Sequence, residues 1–180
     1  MEFYDEFRRA SLKFFSYYKT LGERALAQLH DDELHLEPAS GMNSAAVIVQ
    51  HLTGNMHSRW TDLFGEDGES ATRDRDAEFE DLCESRAELM MRWESGWAVL
   101  FAALEGLSDA DWTRPVRIRG EAISVIEAVQ RQLAHYPYHV GQLVLIARWR
   151  RGVDWESPSI PRGGSAAFNA AMLEGGNVNG

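Results

Sequence analysis

Four long stretches of this chain repeat apolar residues at intervals of three and four, and segments with proline, glycine or acidic residues separate them. That period suits helices that each bury one face, and it leaves little sequence for a sheet. The first stretch covers 2–29, with Phe3, Phe7, Phe14, Tyr18, Leu21, Ala25 and Leu29 on one stripe. DDELHLEPASGMN (31–43) breaks it with Pro38 and Gly41. Asn43 or Ser44 can then cap a second helix running to about Phe64, after which GEDGES reads as a loop. A third helix is expected over about 77–106, with Phe79, Cys83, Ala87, Met90, Trp93, Trp97, Leu100 and Leu104 inward. Ser124 and Glu127 form a capping box opening a fourth helix that ends near Arg151.

Between the last two helices, SDADW reads as a capped turn and TRPVRIRG as a brief extended segment. The tail 152–180 is irregular, with SAAFNAAML as a short helix ahead of a frayed end. The expected fold is all-α: a four-helix bundle over 1–151, with a long crossover between helices three and four, and a tail over 152–180 that packs on it or extends from it.

Composition narrows the function classes. A net charge of −10 argues against sequence-independent nucleic-acid binding, which needs a basic surface. No apolar run approaches the roughly 20 residues that span a bilayer. The opening MEFYDEFRRASLKFF mixes acids with its apolar residues, unlike a signal peptide. One cysteine, Cys83, excludes an internal disulfide and makes the cytoplasm the default expectation. Charge is uneven: residues 62–94 carry twelve acids against four arginines, and 114–151 carry seven arginines against two acids. Solvated faces that attract across helices or a dimer are the simpler reading; an anionic small molecule near the arginines is the other.

Chemistry concentrates in three histidines. His135 and His139 are an i, i+4 pair, so both imidazoles leave one face of the fourth helix. His51, on the second helix, can supply a third nitrogen, and three protein ligands leave a metal with an open coordination position. Spacing alone keeps the alternative open, since His51 lies on a polar flank with Ser44, Asn55 and Ser58, and helical histidine pairs arise by chance. Asn55, one turn after His51, can touch substrate or support a ligand. Pro137 between the two histidines costs about 3 kcal/mol inside a helix, so a bend is expected there.

The remaining candidates read as structure. Cys83 sits among apolar residues and is expected to be a small buried hydrophobe. Trp60 is expected in the core, with pocket lining as the alternative. Tyr136 and Tyr138 are read as structural, with proton donation as the alternative. Arg114, Arg117 and Arg119 are read as a solvated strand face, with anion binding as the alternative. His57 faces nearly opposite to His51, while His30 and His35 fall at a helix end and in a loop. The chain has no phosphate-binding glycine loop, no G-x-S-x-G and no H-E-x-x-H.

At SAAVIVQHLTGN (44–55) and LAHYPYHVGQLV (133–144) the chain resembles the DinB/YfiT-like family of four-helix metalloenzymes. The likeness covers about residues 2–150 and points to an uncharacterised branch in which the tail SIPRGGSAAFN recurs. The family pattern has H-L-x-x-N on helix two and H-x-x-x-H on the last long helix, which here are His51, Asn55, His135 and His139. Pro137 departs from it, standing where a helix former is expected. The resemblance implies zinc or nickel at the histidines, an up-down-down-up arrangement and a homodimer. It also implies thiol-dependent chemistry with a low-molecular-weight thiol such as bacillithiol or mycothiol, although the superfamily includes members with no demonstrated reaction.

The combined expectation is a metal-dependent enzyme that activates a water or a small thiol for attack on a small electrophile, as a thiol transferase or a hydrolase. The rival is a metal-binding, stress-associated dimeric bundle without turnover.

Overall fold

The computed structural model describes residues 2–65, 83 and 85–173, and the chain is mostly helical. Four long helices, α1 (Glu2–Leu26), α2 (Ala45–Trp60), α3 (Arg86–Gly106) and α4 (Val125–Arg151), are joined by a short α5 (Ser165–Leu173). The all-α expectation therefore holds for most of the chain, with one addition. The segment before α4 is an antiparallel hairpin, β1 (Pro115–Ile118) paired with β2 (Glu121–Ser124). Its two-residue turn is Arg119–Gly120, both at positive φ (55° and 77°), the combination that follows the natural twist of a hairpin.

Helix starts are set by local hydrogen bonding. The Ser44 hydroxyl accepts the Val47 N–H, Ser85 accepts that of Glu88, and Ser124 with Glu127 makes the expected reciprocal box. The Ser85 cap corrects the expected start of the third helix. Cys83 and Ser85 are not helical, so the helix begins at Arg86 rather than near residue 77. Phe79 and the residues after Gly65 that were expected to form a loop lie outside the described residues, as does the end expected after Leu173.

Two stripes need correction. On α3 the buried positions are Leu89, Trp93, Gly96, Trp97, Leu100 and Leu104, while Ala87 is exposed. On α1 they are Ser11, Phe15, Gly22, Ala25 and Leu26, while Phe3 and Phe14 are exposed. Small residues explain the phase of α1. A Cβ on Gly22 would lie 2.7 Å from the Trp93 ring, so α1 and α3 can approach only with glycine there. Phe15 then meets Trp97 and Tyr136, at ring separations of 6.3 and 5.9 Å.

The main contacts pair α1 with α4 and α2 with α3, with α2–α4 and α1–α3 packing completing the ring of helices. α2 is buried on nearly every side, from Ala45 through Trp60. The segment beyond α4 folds back onto α1. Arg24 donates to the Pro158 carbonyl, and Gln28 exchanges two hydrogen bonds with Glu156.

The α1–α2 connection is anchored by charge. Glu33 is buried and accepts from the His30 N–H (2.8 Å), Arg150 (3.0 Å) and Arg151 (2.7 Å). The His30 N–H and the two guanidiniums hold its carboxyl down to about 2, against an ordinary 4.5. A depressed carboxyl pKa contributes stability that is complete above the ordinary value and is lost as pH falls through the folded one. Stability of the wild type should therefore decline with acid from about 4.5 toward 2, with a weaker decline in Glu33→Gln, measurable by urea denaturation at stepped pH. At neutral pH, Glu33→Ala is expected to cost about 3 kcal/mol, because it leaves two partly buried guanidiniums without their carboxylate.

Candidate metal centre

His51 comes from α2, His135 and His139 from α4, and their ligating nitrogens all lie within 4.8 Å of one another. The two separations that define the cluster are His51 Nε2 to His135 Nε2 at 3.4 Å and His139 Nε2 to His135 Nε2 at 3.1 Å. Nitrogens about 2.0–2.1 Å from one tetrahedral zinc would stand about 3.3 Å apart, so these spacings match the edges of a metal's coordination sphere.

The far side of each α4 imidazole strengthens the match. His135 Nδ1 meets Gln132 Oε1 at 3.1 Å, and His139 Nδ1 meets Gln142 Oε1 at 2.8 Å. An amide oxygen can only accept, so each Nδ1 carries the proton and each Nε2 keeps its lone pair. The lone pairs of His135 and His139, with their nitrogens 3.1 Å apart, then repel one another unless a cation sits between them. Nδ1–H groups held by neighbouring acceptors are the usual way a protein fixes the tautomer and direction of a metal-binding histidine. Both glutamines stand three residues outside the histidine pair, Gln132-x-x-His135 and His139-x-x-Gln142, a spacing that was legible but had no role in the sequence reading.

His51 is 5% exposed and His139 8%. The polar flank assigned to His51 from sequence is therefore not a solvated one, because the surroundings of α2 enclose it. Burial also pushes the His139 pKa below its ordinary value; the Gln142 hydrogen bond opposes this and the nearby His51 adds to it. A lowered histidine pKa favours the neutral imidazole in the folded state, the form that can bind a metal. That contribution to stability is present above the ordinary 6.5 and is lost as pH falls below it. A metal held by these nitrogens would compete with protons for them and should be released as the medium is acidified, readable by dialysis at stepped pH.

A cavity of about 330 Å³ opens onto the three histidines. Asn55 and Arg59 line it from α2, Gln132 and Arg131 from α4, and Arg119 from the hairpin turn. Among the described residues, no carboxylate lines it. Trp60 Nε1 donates to the Tyr136 hydroxyl (3.0 Å), which donates in turn to Asn55 Oδ1 (3.1 Å). With its oxygen engaged, Asn55 has its NH₂ to offer the cavity. Tyr136 is fully buried and its hydroxyl is used in holding Asn55, while Tyr138 is 63% exposed.

The other expectations sort as follows. Cys83 is buried with the apolar core. Trp60 packs into the same core. His57 is exposed beside Ser95, and His30 meets Arg151, both away from the cluster. Pro137 lies within α4, which continues on both sides of it. Arg114 pairs with Asp111 and covers the Phe64 ring, and Arg117 donates to the Gly120 carbonyl. Arg119 departs from the strand-face reading by lining the cavity. Arg59 and Arg131 were not singled out from sequence, although each stands four residues from a named position, Arg59 after Asn55 and Arg131 before His135, a helical spacing that could have found them.

Comparison with known proteins gives one match. A family model described as Protein of unknown function (DUF1572) covers residues 2–164. The chain belongs to the DUF1572 family. No curated protein and no solved structure matches the chain. In this DUF1572 protein the matched region includes both histidine motifs, the hairpin and the start of the tail. None of its described helices is long and apolar enough to cross a membrane.

Proposed function

We propose that His51, His135 and His139 hold a divalent metal ion, zinc or nickel, and that the protein is a metal-dependent enzyme joining a low-molecular-weight thiol to a small electrophile. The observation that carries this reading is the meeting of Nε2 atoms at 3.1 and 3.4 Å while the opposite nitrogens of His135 and His139 are held by glutamine oxygens. Imidazole donors suit zinc and nickel, and three of them leave room for a further ligand. When bound, such an ion supplies Lewis acidity that lowers the pKa of a thiol or water at its open side, so that a nucleophile exists near neutral pH.

The cavity lining favours the thiol over water. Hydrolysis gains from a general base, and among the described residues no carboxylate faces the cavity. A thiol needs only to lose its proton to solvent; its sulfur then bonds to the electrophilic carbon, and the leaving group departs with the bonding electrons. Asn55, set by Tyr136, offers its NH₂ to the electrophile or its leaving group. Asn55→Ala is therefore expected to lower turnover by about tenfold to hundredfold with metal content unchanged.

The pairing of α1 with α4 and of α2 with α3 supports a four-helix bundle of the up-down-down-up, DinB-like kind; a homodimer and a small-molecule substrate belong to the same proposal. The test is a screen of cellular thiols against electrophiles, following loss of free thiol. Metal-dependent consumption that disappears with chelator and in His51→Ala supports the enzyme. Bound metal with no consumption across the panel selects a metal-binding bundle without turnover.

A further inference from the structure

The hydrogen bonds behind the α4 histidines form a symmetric pattern on one helix. Gln132 precedes His135 by three residues and Gln142 follows His139 by three, so the four side chains share one face over about three turns. Each glutamine offers its Oε1 to an Nδ1, at 3.1 Å for His135 and 2.8 Å for His139, both ordinary hydrogen-bond lengths. The burial of Gln132 is a second, independent observation. It is 3% exposed and borders a small space with Trp60, Val116 and Ile118, where an apolar side chain would pack without a polar cost. An amide kept in such a place needs a hydrogen-bonding reason, and the bond it makes is to His135. The choice of an amide is informative too. Glutamate has the same length, and carboxylates are common behind metal-binding histidines because they raise the basicity of the ring. Both positions here carry the uncharged form.

We infer that Gln132 and Gln142 are positioning residues that set the strength of the metal centre: they lock both α4 imidazoles with Nε2 inward, and as neutral amides they leave the ion's Lewis acidity to the nucleophile at its open side. This inference rests on the metal reading given above, and its second half on a thiol being the ligand. An amide oxygen accepts the Nδ1–H hydrogen bond without drawing the proton away, so the ring stays a moderate donor. A carboxylate would pull on that proton, strengthen the Nε2–metal bond and offset part of the ion's charge. The same ion would then be held more tightly and would acidify a thiol less.

Three variants test this. Gln132→Met and Gln142→Met keep the length of the side chain and remove the acceptor, while Gln142→Glu keeps the acceptor and adds a charge at the less buried position. Long-range proton–nitrogen NMR of the metal-free wild type should show His135 and His139 with the proton on Nδ1. Each Met variant should lose that preference at its own histidine. Zinc affinity, read by competition with a chromophoric chelator, should fall about tenfold in each Met variant and rise about tenfold in Gln142→Glu. Mercaptoethanol titrated calorimetrically into zinc-loaded protein should bind about tenfold more weakly to Gln142→Glu than to wild type, so metal and thiol affinities move in opposite directions. A purely structural role would change the melting temperature in chelator and leave tautomers and zinc affinity alone. Wild-type rings protonated at Nε2, Met variants that bind zinc as the wild type does, or unchanged thiol binding by Gln142→Glu would each overturn the inference. A wild type with the expected tautomers that binds no zinc would overturn it together with the metal reading. Failure of the inference alone leaves wild-type zinc binding intact, and no readout here is turnover, so failure of the enzyme reading is seen separately.

Discussion

Replacing His135 with alanine is expected to remove zinc-dependent stabilisation from this protein almost completely. His135 Nε2 is the shared member of the two shortest contacts, 3.4 Å to His51 and 3.1 Å to His139, so its loss leaves two nitrogens that no longer enclose a site. A ligand that binds only the folded state stabilises it by about 4 kcal/mol when present at a thousand times its dissociation constant. For a chain of this length that is about 10 °C in melting temperature. Wild type should gain this on adding zinc and lose it on adding chelator, while His135→Ala should show neither change. In chelator the two proteins should melt within about 1 kcal/mol of each other, since the variant also relieves the crowding of lone pairs. Scanning calorimetry with and without zinc reads both differences. A variant destabilised equally in the two conditions would assign His135 to packing alone.

Trp97→Ala is expected to be the most damaging core change, at about 4 kcal/mol. Trp97 is fully buried and joins three helices. Its ring lies 6.3 Å from Phe15 of α1, 5.5 Å from Trp93 of α3 and 5.8 Å from Tyr136 of α4. Removing it empties the layer behind Tyr136, whose hydroxyl holds Asn55, so turnover should fall with stability. Trp97→Phe should cost well under half as much. Its ring refills most of the space, and among the described residues the indole N–H of Trp97 has no hydrogen-bond partner to lose. Urea denaturation of the two variants provides the comparison. Equal costs for the two substitutions would contradict this packing account.

Much of this arrangement was legible in the sequence where a local signal and a helical period agreed. Ser44, and Ser124 with Glu127, start their helices as read, and Gly152 caps α4 where Arg151 was expected to end it. The helix phases allowed the histidines to converge, and the resemblance carried by the two motifs in order made that the expectation; in the fold they do meet. The phase of α1 did not follow, because Phe14 and Phe15 are adjacent and a count of apolar residues cannot choose between them. Ser11 and Gly22, small residues where helices approach, make the choice in the fold. The start of α3 was misplaced by Phe79 and Cys83, which prolong the apolar period past the Ser85-x-x-Glu88 cap. Solvent exposure of His51 stayed open as the alternative because one-sided exposure is the usual state of an amphipathic helix, whereas α2 is enclosed on nearly all sides. The arginines of the cavity come from three elements, and only tertiary folding brings them together.

The histidine centre is tested most directly by elemental analysis of protein purified without a histidine tag, supplied with zinc and then dialysed at neutral pH. Wild type should keep about one equivalent of metal per chain, and His51→Ala, His135→Ala and His139→Ala should each keep little or none. A wild type that holds no more metal than these three variants would contradict the metal centre.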